Sequence, residues 1–155
     1  MLFGLSTDWI EVIGLFVMMA GFVIGLGAVT VIDIHGFLGR TSSYWTEATT
    51  RTHKVTKPMI WVGIMLAVIG GLIFYRHQSL SGIPLAHFII TLVLIANGYF
   101  LSFKVSPFLL QREKEGQSGE LLPASWQKKI IVSLIISDIG WWGGLFLLVI
   151  YILSR

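Results

Sequence analysis

Four apolar stretches constrain this chain more than any other feature: Trp9 to Leu38, Pro58 to Tyr75, Pro84 to Val105 and Lys129 to Leu153. A helix rises about 1.5 Å per residue, so roughly 20 apolar residues cross a hydrocarbon core about 30 Å thick. The second stretch reaches that length when it is extended back to His53 or Val55. Spanning β-strands would alternate apolar and polar residues over about ten positions, and these runs do not. Only 12% of the 155 residues are charged and 55% are hydrophobic, against about 25% charged in soluble domains. The chain therefore lacks the polar groups to cover a water-facing surface. It also lacks cysteine, which excludes disulfides, thiolate metal sites and thiol nucleophiles.

The expected fold is all-α, a four-transmembrane-helix antiparallel bundle, with spans near 9–38, 55–75, 84–105 and 129–153 in a single membrane domain. Pro58 and Pro84 are read as first-turn prolines, where the missing N–H has no intrahelical partner. Pro107 is read as the end of the third helix, and 106–127 as a solvated excursion. The short 76–82 loop implies that the second and third helices are antiparallel neighbours.

Orientation follows from lysine and arginine. Arg40, Arg51, Lys54, Lys57, Lys104, Arg112, Lys114, Lys128 and Lys129 fall at one end, and Arg76 and Arg155 at the other. Basic loops stay cytoplasmic, so both termini are expected on the non-cytoplasmic side, and the setting is read as a bacterial plasma (inner) membrane. The net charge of +3 is accounted for by this topology, so no nucleic-acid partner is implied. The first run is too long for a cleaved signal peptide, and no lysine or arginine precedes it.

Small residues lie in register. Gly14, Gly21 and Ala28 recur every seven positions, Gly21 and Gly25 form a GxxxG pair, and Gly63 and Gly70 repeat the spacing on the second helix. Helices in lipid associate through such close-packing faces. These glycines are expected at an intramolecular contact, with a homo-oligomer or partner membrane subunit as the alternative. The seven-residue step from Ala28 arrives at His35, and His53, Ile60 and Ala67 form a parallel row. His35 and His53 therefore sit at similar depth on packed faces of consecutive helices. Paired histidines across a bundle are the ligand set of haem b, making them candidate cofactor ligands, with His87 as a further candidate. No other metal site is suggested, and phosphate loops, HExxH and nucleophile elbows are absent.

Asn97 and Asp138 lie deep in the third and fourth runs, where an unpaired polar group is costly. They are candidates for a buried hydrogen-bonded clamp. Alternatively, Asp138 relays protons in a small transporter. Asp33 stands about 200° around the helix from His35, so the two do not form one metal site.

The stretch from His87 to Asn97-Gly98-Tyr99 resembles the corresponding helix of the HemJ-type protoporphyrinogen oxidases and the copper-resistance-D-like proteins, small bacterial membrane proteins of about four helices. His35 also falls near a family histidine position. Gly14 and Ile89 stand where the family carries a histidine and a lysine. The resemblance implies a haem b cofactor and a redox or haem-handling role. A non-enzymatic scaffold or accessory subunit is the other reading of the same bundle.

Overall fold

The computed structural model describes residues 8–154; Arg155 lies outside them. The elements are α1 (Trp9–Leu38), α2 (Ser43–Phe74), α3 (Gly82–Phe100), a π-helical turn (Leu101–Val105), α4 (Ser106–Lys114) and α5 (Ala124–Leu153). The segment Gly82–Lys114 runs on as one 33-residue rod, giving four helices long and apolar enough to cross a membrane. No strand occurs among the described residues. The molecule is an integral membrane protein built as an antiparallel four-helix bundle.

Its exterior is apolar. Phe16, Val23, Leu72, Ile139 and Phe146 are each at least 65% exposed, a belt that only hydrocarbon covers without cost. Ring contacts between Tyr75 and Tyr151, and an ion pair between Arg76 and Asp8, bring the start of α1, the end of α2 and the end of α5 together. This is the terminal end. The opposite, basic end holds the α1–α2 turn, α4 and the start of α5.

Local chemistry explains the helix ends. Asp8 caps α1, its carboxylate accepting the Ile10 and Glu11 amides at 3.0 and 3.3 Å, an arrangement typically contributing about 1 kcal/mol. At the basic end Thr46 Oγ1 donates to the Gly39 carbonyl at 2.7 Å, fastening the turn to α2. Lys54 pairs with Glu113 at 2.7 Å and fixes α4 beside α2.

Two proline readings are corrected. Pro58 is inside α2, which begins at Ser43. At 32 residues the helix is about 48 Å long, so its Thr-rich first half projects past the hydrocarbon. Within that half, Thr46, Thr49, Thr50 and Thr56 each donate to the carbonyl four residues back. Pro107 does not end the third helix either; it sits in the first turn of α4, where its missing N–H is tolerated. The π-turn makes this possible, with the Ser106 amide reaching back five residues to the Leu101 carbonyl. The corresponding donor for the Ser102 carbonyl would be Pro107, which has no N–H. Lys57 Nζ donates there instead, at 3.4 Å. The first half of the expected 106–127 excursion is therefore helix.

The tightest packing is between α1 and α2. A Cβ built on Gly63 would lie 2.5 Å from Gly25 Cα, one on Gly21 would meet the Gly63 carbonyl at 2.7 Å, and one on Gly14 would meet the Phe74 amide at 2.7 Å. Gly70 lies against the Met18 backbone. Gly14, Gly21, Gly25, Gly63 and Gly70 are all buried inside the chain. The other half of the bundle is α3 on α5, where Gly140 makes room for Leu94. Helices α2 and α3, though joined by a short loop, splay apart over a cleft toward the terminal end.

Candidate functional site

Each helix carries its own stripe toward the bundle centre. On α1 the buried residues Phe22, Leu26, Val29 and Asp33 advance by four, three and four, the step that keeps one helical face. On α2 the residues His53, Lys57, Ile60 or Trp61, and Ile64 advance in the same way. These stripes meet in a cavity of about 80 Å³ in the basic half of the bundle, walled by all four membrane helices. Its polar lining includes Asp33, His53, Lys57, Trp61, Asn97 and Ser102, with Arg40 and Gln127 toward the basic end. That volume is enough to admit water.

Two of these groups lack the partners that burial demands. Asp33 is 8% exposed, and its Oδ2 has no hydrogen-bond partner in the protein; nor does the buried Nε2 of His53. An orphaned buried acceptor costs about 1–3 kcal/mol, and native structures leave few. Charges surround the pair: Asp138 is close enough to act electrostatically on Asp33, as Lys57 is on His53. Among the described residues, Asp33 makes no ion pair.

Of the remaining lining, the Trp141 indole N–H is also buried without a partner, while the other polar groups named above are bonded. Trp61 Nε1 donates to Ser102 Oγ at 3.0 Å, and Lys57 binds the carbonyl freed by the π-turn, so the π-turn is itself part of the site. Asn97 makes a two-way clamp to α5: its Nδ2 donates to the Ser133 carbonyl at 3.0 Å and its Oδ1 accepts from Ser133 Oγ at 2.6 Å. Asn97 is thus not bonded to Asp138, which is half-buried on α5 and does not line the cavity. Ser133 and Asp138 are five residues apart, about 140° around the helix, so one neighbour cannot face both. A double-mutant cycle on Asn97→Ala and Ser133→Ala is expected to give a coupling of about 0.5–1.5 kcal/mol, the range of interhelical hydrogen bonds in membranes. Additive losses in thermal unfolding would contradict the clamp.

The histidines disperse. His35 turns away from the cavity, its Nδ1 3.1 Å from Thr52 Oγ1 and its ring 5.1 Å from that of Trp45. His53 lines the cavity, and His87 is buried near the terminal end on the wall of the cleft. His87 Nε2 lies 2.8 Å from the Gly144 carbonyl, which can only accept, so Nε2 carries the proton. Its Nδ1 then accepts from the Tyr75 hydroxyl at 2.9 Å, and neither nitrogen keeps a lone pair for iron. So arranged, His35, His53 and His87 share no cavity and form no axial pair, and the space beside His53 is far below the roughly 300–1,000 Å³ of cofactor-sized pockets. Among the described residues, no group of three or more metal-ligating side chains occurs.

Beyond the cavity, the apolar cleft between α2 and α3 encloses about 510 Å³. Ile64, Leu94 and Trp141 line both spaces and form a layer between them, each under 9% exposed. Trp141 rests on Gly25 and meets the edge of Phe22, ring centroids 5.9 Å apart. The molecule thus has a polar chamber at the basic end, an apolar chamber at the terminal end, and a three-residue plug.

The relation of Asp33 to His35 does not reveal that Asp33 faces this cavity. The signal that finds it is the Phe22-Leu26-Val29-Asp33 stripe, which places a carboxyl on an otherwise apolar core face. No family model matches the chain, and neither a curated protein nor a solved structure matches it.

Proposed function

We propose that the protein is a small proton-linked membrane carrier, with its basic end in the cytoplasm of a bacterial cell and Asp33 and His53 as its working groups. The observation that carries this reading is the convergence of two buried, unpartnered polar atoms, Asp33 Oδ2 and His53 Nε2, on one cavity. A carboxyl and an imidazole so placed are satisfied by a proton, by water or by a small cationic solute. Ionisable groups inside membrane helices usually mark such pathways.

The surroundings suit that role. Arg40 and Lys57 line the cavity along with Asp33 and make no ion pair with it. The plug separates the polar chamber from the cleft, as alternating exposure of a site requires. Glycines seat that plug: Trp141 on Gly25 and Leu94 on Gly140. Connecting the chambers takes movement of Trp141 or Leu94 out of this packing. Relative to the sequence reading, the carboxyl at work is Asp33, with Asp138 as its electrostatic neighbour.

Purified protein reconstituted into liposomes with an entrapped pH dye tests the reading. Under an imposed pH gradient, the protein is expected to dissipate the gradient faster than protein-free liposomes, and His53→Leu to slow it at least tenfold, a barrier increase of about 1.4 kcal/mol. Wild-type vesicles as tight as empty ones, with or without added small amines and amino acids, would overturn the reading.

A further inference from the structure

The α2–α3 cleft is apolar along its length but ends at a cation. Arg76, at its terminal-end mouth, donates through Nη2 to Asp8 and through Nε to His77 Nε2 at 3.0 Å. Its Nη1 is buried and has no partner. A guanidinium presents its donors as a planar fork matched to two-oxygen anions such as phosphate and carboxylate, and here part of the fork is unused at the opening of an apolar slot.

The dimensions identify what fills the slot. Along α2 the lining runs from Ile64 to Leu72 and on through the helix end to Tyr75 and Arg76, about 15 Å from Ile64 to the end of the helix at 1.5 Å per residue; along α3 it runs from Pro84 to Ile95, about 16 Å. Half of a hydrocarbon core is about 15 Å. The cleft is therefore one leaflet deep, closed at mid-membrane by the plug and open at headgroup level beside Arg76. Its volume of about 510 Å³ is that of a small-molecule site. Leu72 and Leu80, both on its wall and 72% and 63% exposed, extend the apolar surface outward.

We propose that this cleft is a phospholipid site, holding one acyl chain between α2 and α3 with the lipid phosphate on Arg76. The depth selects a chain from the adjacent leaflet, and the orphaned guanidinium N–H selects a phosphate over an uncharged head. The assignment is independent of the proton-carrier reading: it concerns the opposite end of the bundle, and lipid retention is measured without flux.

The test is native mass spectrometry and phosphorus assay of the full-length protein after exhaustive detergent exchange. The wild type is expected to retain about one phospholipid per chain, competed by added phosphatidylglycerol but not by diacylglycerol or millimolar inorganic phosphate. Arg76→Gln is expected to lower phosphatidylglycerol affinity at least tenfold. Gly71→Phe fills the cleft from a position where a Cβ has only ordinary contacts with Met18, and is expected to abolish retention. Because Arg76→Gln also removes the pair with Asp8, Asp8→Asn serves as the control: it breaks that pair, leaves the guanidinium, and should keep the lipid. Loss of lipid in Asp8→Asn equal to that in Arg76→Gln would overturn the phosphate assignment. So would equal competition by diacylglycerol, displacement by free phosphate, or a wild type that retains no phospholipid. A thermal-shift measurement on each variant confirms that it is folded before its lipid content is read.

Discussion

Gly63→Leu is expected to leave almost no folded protein in detergent, whereas Gly27→Leu, on the lipid-facing side of α1, is expected to behave as wild type. The contrast is steric. At position 63 even a Cβ would come within 2.5 Å of Gly25 Cα, and at position 27 nothing lies within 4 Å. Leucine is the better helix former by nearly 1 kcal/mol, so propensity alone favours both changes. At Gly63 the obstacle is backbone, which cannot rotate aside as a side chain can, and the two helices must separate along the seam. Overpacking typically costs 1–3 kcal/mol and sometimes more; with a backbone opponent, the cost is set at about 3 kcal/mol or above. Fluorescence-detected size exclusion and thermal unfolding read the result. A well-folded Gly63→Leu protein, or an equally damaged Gly27→Leu, would mean that the α1–α2 seam is not what holds this bundle together.

The second large effect is functional. Asp33→Asn keeps the side chain's shape but removes the exchangeable acid, so proton flux in liposomes is expected to fall about a hundredfold, the lower end of what a positioned proton-transfer group contributes. Folding should be retained, because the amide can also hydrogen-bond to whatever the carboxyl meets in the cavity. Asp138→Asn should keep most of the flux, since Asp138 does not line the cavity. Equal flux in Asp33→Asn and wild type, or a greater loss in Asp138→Asn, would reassign the working carboxyl.

What could be read from the sequence follows from what a linear pattern encodes. Length and apolarity announce membrane helices because the bilayer imposes both. The seven-residue glycine rows pointed to a close-packed face because only small side chains permit such an approach. Helix rotation was harder to read. Depth arithmetic put Asn97 and Asp138 at a similar level, but the hydrogen bond goes to Ser133, about 140° around α5 from Asp138. Proline misled twice for a related reason: its cost depends on whether the lost N–H has a use, and that is a tertiary fact. At Pro107 a π-turn and Lys57 Nζ compensate, 50 residues apart in sequence. His35 and His53 share a level without sharing a space, since His35 meets Thr52 instead of the cavity that His53 lines.

The same geometry explains why so small a chain can keep a polar chamber at all. The α1–α2 seam brings two backbones close enough for Asp33 and His53 to approach one cavity from adjacent helices. The Asn97–Ser133 clamp holds the opposite wall, α3 on α5. Between them the cavity is bounded by rigid elements, and the buried layer of Ile64, Leu94 and Trp141 closes it toward the cleft.

Infrared difference spectroscopy of the reconstituted protein, stepping pH and exchanging H₂O for D₂O, addresses the Asp33 carboxyl directly. A carboxyl C=O band is expected that responds to pH, shifts in D₂O as fast as bulk water reaches the cavity, and is missing from Asp33→Asn. A spectrum in which wild type and Asp33→Asn are identical, or a band that ignores both pH and solvent isotope, would contradict the claim that Asp33 exchanges protons across this site.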